Sequence, residues 1–236
     1  MADYDLILRG GTAVTSTGLK VTDIAVAEGR IVALAPQLSG TAHNEIMAAG
    51  LHIFAGVIDS HVHFNEPGRT GWEGIETGSR ALAAGGGTAF FDMPLNAHPP
   101  TLDAESFALK VAAAQRNSCT DFALWGGLVP QNVDRLEELA ACGVIGFKAF
   151  LSDSGIDDFS CVDEATLREG MKRAAALKLP VAVHAESETM TKALAQERIH
   201  QNRTSIRDYL DSRPIAAELD AIRRAIDLAG ETGCAL

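Results

Sequence analysis

The chain has 236 residues, of which 47% are hydrophobic and 22% are charged, and its formal net charge is -11. This composition is ordinary for a globular protein and provides enough length for one large domain, or for a large and a small one. The acidic balance, with no block of Lys or Arg, argues against nucleic acid or an anionic membrane surface as a partner. The N-terminus lacks the basic residues of a signal peptide and no apolar run is long enough to span a membrane, so we expect a cytoplasmic location.

The cysteines give no sign of a redox or structural zinc site. They are irregularly spaced, without a C-x-x-C pair, at Cys119, Cys142, Cys161 and Cys234. A chain of this size in a reducing compartment needs no disulfides. We therefore expect reduced and mostly buried thiols.

Residues 1–52 differ in pattern from the rest of the chain. Short alternating apolar runs are separated by glycines, as at Gly10-Gly11 and Glu28-Gly29, and no helical period occurs. Runs of this kind predict hairpins. The segment is therefore predicted to be a small β-rich domain.

From residue 53 onward, strand-like and helix-like stretches alternate. The apolar strand-like runs cover 53–64, 87–95, 121–129, 144–151 and 180–186. The helix-like stretches cover 73–85, 103–117, 131–141, 163–178, 189–200 and 214–232. Repeated βα units predict a parallel sheet covered by helices, so the α/β class is expected for residues 53–236. A TIM-type (β/α) barrel fits best, and a doubly wound open sheet is the alternative.

The number of units is smaller than a complete barrel requires. Residues 53–236 hold five complete units, and Cys234-Ala235-Leu236 resembles the beginning of a sixth strand. An eight-unit barrel needs roughly 250 residues. We therefore expect a truncated barrel, with this chain as the N-terminal part of a longer protein.

The most informative motif follows the first of these apolar runs. Asp59, His61 and His63 are spaced by two residues, so on a strand their side chains point to one side. Two imidazoles beside a carboxylate predict a site for a divalent metal such as zinc. Two ordinary histidines on an exposed strand are the alternative. The apolar run before the motif and the Pro67-Gly68 break after it make that alternative the weaker one.

Two later strand ends carry further candidate ligands. Lys148 lies in the apolar run 144–151, where desolvation favours a neutral amine that can capture carbon dioxide as a carbamate. Taken by itself, a lysine there is more simply explained by an ammonium that snorkels to the strand end. His184 ends the next strand. Because all these strands end at one edge of a parallel sheet, the side chains are expected to converge with His61 and His63.

These motifs resemble those of the cyclic amidases of the amidohydrolase superfamily, which include dihydroorotase, hydantoinase/dihydropyrimidinase and allantoinase. The resemblance covers the whole chain, and it implies two divalent metal ions, usually zinc, bridged by a carboxylated lysine. The ligands that it implies here are His61, His63, Lys148 and His184. In the family a strand-six His and a strand-eight catalytic Asp complete the site, and neither has a counterpart before Leu236. The 236-residue chain by itself is therefore expected to be inactive.

The resemblance also indicates a substrate class. The set closest to the allantoinase group is Asn65-Glu66-Pro67-Gly68-Arg69, Trp72-Glu73-Gly74, Met93-Pro94-Leu95-Asn96, Gly146-Phe147-Lys148 and Ser212-Arg213-Pro214. Dihydroorotases carry an Arg where this chain has Asn65. Amide partners such as Asn65 and Asn96 suit neutral allantoin, although Asn96 is equally well explained as a turn residue. The expected reaction is hydrolysis of the allantoin ring to allantoate, by a homo-oligomer that is tetrameric by family resemblance.

Several alternatives remain open at this stage. Within the cyclic amidases, dihydroorotase or hydantoinase is the alternative activity. A non-catalytic amidohydrolase-like scaffold is the alternative that is not an enzyme. Asp59 is interpreted as orienting an imidazole, and Arg69 as bracing its loop through a nearby acid. The loop 152–158 after Lys148 either folds over the substrate or is a solvated linker.

Overall fold

A computed structural model describes residues 2–236, which divide into two compact units. The first unit ends at Val57 and the second spans Ile58–Leu236. Each unit has its own sheets and its own buried residues.

The first unit contains one β-sheet of five strands. Its strands are β1 (Tyr4–Thr15), β2 (Gly18–Ala27), β3 (Arg30–Ala35), β4 (Ala42–Met47) and β5 (His52–Ile53). Strands β1, β2 and β3 pair antiparallel, whereas β4 and β5 pair parallel with β1. Glu28 and Gly29, which join β2 to β3, both have positive φ angles, of 52° and 71°. That backbone conformation is the one that a tight two-residue hairpin turn requires.

The predicted strand over 53–64 is wrong as a single element. Ile53 belongs to β5 and lies opposite Ala13 of β1, while the strand that carries the histidines, β6, runs Val57–Val62. A Cβ on Gly11 would lie 2.4 Å from Ile53 Cδ1, so Ile53 packs directly on the bare backbone of β1. This close packing against a glycine is a tertiary contact, and an apolar run cannot reveal it.

The second unit follows the alternating order that the sequence predicted. After β6, its strands are β7 (Gly87–Asp92), β8 (Asp121–Leu124), β9 (Gly126–Gly127), β10 (Phe147–Phe150) and β11 (Val181–His184). Its helices are α1 (Ile75–Ala84), α2 (Ala104–Asn117), α3 (Leu136–Cys142), α4 (Glu164–Leu177), α5 (Glu188–His200), α6 (Ile206–Asp211) and α7 (Ile215–Thr232), and a 3-10 turn covers Val133–Arg135. Among the described helices of the second unit, only α6 lies outside the predicted helix-like stretches, because so short a helix gives no apolar period.

The strands pair in the order in which they occur in the chain. Among the described residues, β6, β7 and β8 form one ladder and β9, β10 and β11 form another, and the pairs β7–β8, β9–β10 and β10–β11 are parallel. A hydrogen bond of 3.0 Å from the Ile145 amide to the Leu124 carbonyl connects the two ladders. Neighbouring strands that are also consecutive along the chain, with helices between most of them, are the arrangement of a β/α barrel wall.

The largest core lies between β10, β11 and the helices α3, α4 and α7. Helix α7 contributes one buried face, consisting of Ala217, Ala221, Ala225 and Leu228. It begins after Pro214 and ends at Gly233, whose φ is 72°, as the start and stop residues predicted. The small alanine side chains allow the helix to approach the sheet closely. This packing fixes the strand ends at which the candidate ligands lie.

The chain end and the cysteines differ from expectation. Residues 234–236 are not in a strand, although the Ala235 carbonyl accepts a hydrogen bond of 2.9 Å from the Val181 amide of β11. The cysteines are free, as predicted, but only Cys234 is buried and Cys119 is exposed, so the expectation of mostly buried thiols is wrong. Within residues 2–236, every helix is too short or too polar to cross a membrane.

Candidate metal centre

Strand β6 brings two imidazole nitrogens close together. The Nε2 atoms of His61 and His63 lie 3.3 Å apart, and the two rings are tilted by 52°. Two nitrogens that bind one tetrahedral zinc ion at about 2.0–2.1 Å are separated by about 3.3 Å. The histidine pair therefore has the spacing of two ligands of one ion.

Asp59 acts on the main chain of this strand. Its Oδ1 accepts a hydrogen bond of 3.1 Å from the backbone N–H of His61. The sequence-based interpretation assigned this carboxylate to an imidazole ring, whereas the contact found is with the peptide. Asp59 thus fixes the backbone from which the His61 ring projects.

The surroundings of His63 favour a neutral ring. Burial lowers the pKa of His63 to about 4, and the neighbouring His61 acts in the same direction. Burial also lowers the pKa of His61. Neutral imidazole is the form that binds a metal, so both rings are in the ligand form at neutral pH.

Asn96 contacts the other nitrogen of His63. Its side-chain nitrogen lies 3.3 Å from His63 Nδ1. An amide can be turned to present either oxygen or nitrogen, so the oxygen can accept a hydrogen bond from Nδ1–H and leave Nε2 free for a metal. Asn96 also has a positive φ of 67°, as a turn residue does. The turn interpretation is therefore confirmed, and the contact of the amide with the His63 ring is an additional finding.

Lys148 is buried on β10, with 3% of its surface exposed. Burial lowers the pKa of Lys148 to about 8, and no neighbouring charge contributes to the shift. Its Nζ lies 5.1 Å from the centre of the Phe150 ring. An ammonium that snorkelled to solvent would be exposed, so this alternative is wrong. The amine sits where its neutral form is readily available.

His184 lies on the same face of the sheet as Lys148. The register of β10 and β11 pairs Phe150 with His184, and their rings stack at 4.7 Å with an angle of 7°. Because Lys148 is two residues from Phe150, its side chain points to the same side. His184 Nε2 also lies 3.1 Å from Glu186 Oε2.

Three of the candidate ligands, His61, Lys148 and His184, line one cleft of about 680 Å³ within the second unit. Its lining includes His61, Lys148, Phe150, Asp153, Ser154, His184, Glu186, Tyr209, Arg213 and Glu218. Among residues 2–236, no group of three or more His, Cys, Asp or Glu side chains is arranged to hold a metal ion. A lysine amine becomes an anionic oxygen ligand only when it carries a carboxylate. Lys148 in that form would join His61 and His184 in a set of nitrogen and oxygen ligands, which fits a divalent metal ion.

Asn65 and Arg69 lie in the loop after β6. Asn65 is 7% exposed, and its Oδ1 has no hydrogen-bond partner within residues 2–236. Arg69 forms an ion pair of 3.1 Å with Asp158, and its guanidinium lies 5.4 Å from the centre of the Trp72 ring. Arg69 thus connects the loop after β6 with the loop after β10. The side-chain oxygen of Asn65 is a buried hydrogen-bond acceptor without a partner among the described residues.

Two residues that contact candidate site residues were not predicted from the sequence patterns. Asp158 and Glu186 were not assigned, although Asp158 pairs with Arg69 and Glu186 contacts His184. The Asp158 contact joins positions 89 residues apart, so no local pattern indicates it. Glu186 is two residues from His184, and the strand period would have placed it on the same side.

Comparisons with known proteins identify relatives of the chain. Residues 50–236 match the family described as Dihydro-orotase-like. The chain is 60% identical over 232 residues to an allantoinase of Solibacter usitatus, covering 98% of this chain and 50% of the relative. It is 58% identical over 236 residues to an allantoinase of Rubrobacter xylanophilus, covering 100% of this chain and 52% of the relative.

A solved structure extends the similarity to the fold. L-hydantoinase (dihydropyrimidinase) from Arthrobacter aurescens has a TM-score of 0.91 and 32% identity, covering 98% of this chain and 51% of that one. The chain spans about half the length of the curated relatives that it matches. The α/β architecture with a barrel wall is thus shared with this enzyme, as the sequence predicted.

Proposed function

Because the chain belongs to the dihydro-orotase-like family, as the match over residues 50–236 shows, we propose that it is part of a metal-dependent cyclic amidohydrolase that opens the ring of allantoin to give allantoate. The relatives at 58–60% identity are named allantoinase, which supports this substrate over other cyclic amides. The observation that carries the proposal is the cleft shared by His61, Lys148 and His184, with His63 at 3.3 Å from His61. These residues would hold two divalent metal ions, zinc foremost.

Lys148 would supply the anionic ligand. Its neutral amine adds to carbon dioxide, forming an N–C bond and releasing one proton, which leaves a carbamate. The burial that lowers its pKa to about 8 makes the neutral amine accessible. Bound divalent metals supply Lewis-acid chemistry, which polarises an amide carbonyl and activates water.

The protein groups bind and orient the substrate. Allantoin is uncharged and carries several amide N–H groups and carbonyls. The buried Asn65 Oδ1, which has no partner within residues 2–236, would accept one substrate N–H. Asn96 would hold the His63 ring with its side-chain amide, and we propose that it also contacts the substrate. Two amides complement a neutral substrate, whereas an arginine would favour an anionic one.

The test compares three substrates with the product of the complete reading frame. Allantoin, dihydroorotate and a simple hydantoin are assayed at equal concentration after loading with zinc. Fastest turnover of allantoin, at least tenfold above the others, is the expected result. Faster turnover of either other substrate would reassign the activity within the family, and no turnover of any substrate by protein that retains metal would favour a non-catalytic role.

The variant Asn65→Arg tests the substrate contact. It introduces the cation that dihydroorotases carry at this position. We expect KM for allantoin to rise at least tenfold while the metal content stays unchanged. An unchanged KM would remove Asn65 from the proposed substrate site.

By family resemblance we further propose a cytoplasmic homotetramer. Light scattering coupled to size exclusion measures the mass directly, and a monomer would contradict the proposal.

A further inference from the structure

One buried ion pair lies outside the set of candidate ligands. Asp92, at the end of β7, and Lys110, in α2, are each 1% exposed, and Lys110 Nζ lies 3.1 Å from Asp92 Oδ2. Desolvation offsets most of the attraction in a buried ion pair, so such a pair adds little net stability over apolar residues of similar volume. The Asp92–Lys110 pair does, however, form hydrogen bonds with two backbone groups, and these lie near candidate site residues.

The first contact reaches the histidine strand. Asp92 Oδ1 accepts a hydrogen bond of 3.2 Å from the backbone N–H of Phe64. Phe64 directly follows His63 in the chain. Asp92 therefore fixes the peptide on the C-terminal side of His63.

The second contact reaches the segment that carries Asn96. Lys110 Nζ donates a hydrogen bond of 2.5 Å to the Met93 carbonyl. Met93 begins the four-residue run that ends at Asn96, whose amide lies 3.3 Å from His63 Nδ1. Lys110 therefore fixes the first residue of this run, and the last residue of the run, Asn96, contacts the His63 ring.

We propose that Asp92 and Lys110 are positioning residues for the metal centre, which hold His63 and Asn96 in register with each other from two neighbouring strands. The pair joins the backbone beyond β6 to the backbone beyond β7, with α2 as the rigid support. It touches neither metal nor substrate. The proposal rests on the metal site assigned under the proposed function.

The test measures the binding of cobalt(II), which reports ligand geometry through its visible absorption. Two variants of the complete gene product are compared with the wild type. Lys110→Met removes the cation and the contact with Met93. The double variant Asp92→Asn with Lys110→Met removes both charges at nearly constant volume, so that no buried carboxylate is left unpaired. Thermal unfolding without metal shows which variants remain folded.

A matched control comes from the first unit. Asp23 forms an ion pair of 3.2 Å with Arg9 and accepts hydrogen bonds from two backbone amides. Asp23→Asn thus removes a comparable carboxylate that makes no contact with the histidines. Its cobalt affinity and spectrum should equal those of the wild type.

The expected result is a loss of about tenfold or more in cobalt affinity for the folded double variant, with an altered visible spectrum, because groups behind a metal ligand typically contribute that much. Wild-type affinity and spectrum in a folded double variant would overturn the positioning role while leaving the metal site intact. A wild-type protein that binds no cobalt would overturn the metal site and the positioning role together. A loss of the same size in Asp23→Asn would also overturn the positioning role, because the effect would then follow from destabilisation.

Discussion

Arg69 and Asp158 form an ion pair across 89 residues of sequence, with 3.1 Å between Nη2 and Oδ2. The same carboxylate oxygen lies 2.6 Å from His98 Nδ1, and Arg69 Nη1 donates to the Ala97 carbonyl at 3.1 Å. The loop after β10 is therefore tied to the loops after β6 and β7. Arg69, His98 and Asp158 line a pocket of their own together with Trp72, so the tie holds three loops together around that pocket.

This relationship predicts the behaviour of Asp158→Asn. The variant keeps the size of the side chain but weakens both contacts. A partly exposed ion pair contributes up to ~1 kcal/mol, so we expect local opening of residues 152–158 to increase up to about fivefold. Amide hydrogen exchange of that loop measures the change. Asp157→Asn removes the same charge from the exposed neighbouring residue and should leave exchange unaltered.

Two helix glycines predict opposite effects of the same substitution. A Cβ on Gly78 in α1 would lie 2.4 Å from the Phe64 ring, whereas a Cβ on Gly230 in α7 would meet nothing within 4 Å. Gly78→Ala should lower the free energy of unfolding by ~1–3 kcal/mol through overpacking. Gly230→Ala should raise it by ~0.5–1 kcal/mol, because alanine loses less backbone entropy in a helix. Thermal unfolding of both variants checks the pair, and equal effects would contradict the packing found at Phe64.

The first unit predicts a pH-dependent loss of stability. Hydrogen bonds from the backbone amides of Leu38 and Gly10 lower the pKa of Asp23 below its ordinary value of 3.8, and Arg9 adds to this effect. The unfolded chain then binds the proton more readily than the folded one. The ionised Asp23 carboxylate therefore stabilises the folded chain at pH values above its ordinary pKa. This stabilisation is lost as the pH falls through the lowered pKa of the folded chain.

Asp23→Asn should therefore lower the free energy of unfolding of the first unit at pH 6. The difference from the wild type should become much smaller at the lowest pH at which the unit stays folded. Urea unfolding, followed by hydrogen exchange of β1 and β2, measures both values. The exposed carboxylate of Asp227, in α7 of the second unit, provides a control, since Asp227→Asn should leave the stability of the first unit unchanged. A penalty for Asp23→Asn that is constant with pH would contradict the assignment.

The proposed carbamate predicts that metal loading depends on bicarbonate. After removal of metal with a chelator, the wild-type protein should regain less zinc in carbon dioxide-free buffer than with added bicarbonate. Lys148→Met should show reduced zinc content under both conditions, because it has no amine to carboxylate. Elemental analysis measures the zinc bound per chain. Equal loading of the wild type in both buffers would argue against the carbamate.

Much of the fold follows from local patterns. The start and end of α7 were predicted because Pro214 and Gly233 have strong conformational preferences that act within a few residues. The strands that carry Lys148 and His184 were predicted because apolar runs of strand length cover these residues. His184 ends β11 as expected, whereas Lys148 is the second of the four residues of β10 and does not lie at its end. The split between β5 and β6 was not predicted, since Ile53 is held by Gly11, more than forty residues earlier in the chain.

The sequence by itself determined which side chains reach one edge of the sheet. The two-residue period puts His61 and His63 on one side of β6, and successive parallel strands end at the same edge, so Lys148 and His184 follow. Only the tertiary structure decided how these groups are held. Three contacts join strands or loops that are distant in the chain: Asn96 with His63, Asp92 with Lys110, and Arg69 with Asp158. The burial of Lys148 likewise depends on elements that pack over β10. Such contacts depend on packing between elements, which no local period of the sequence encodes.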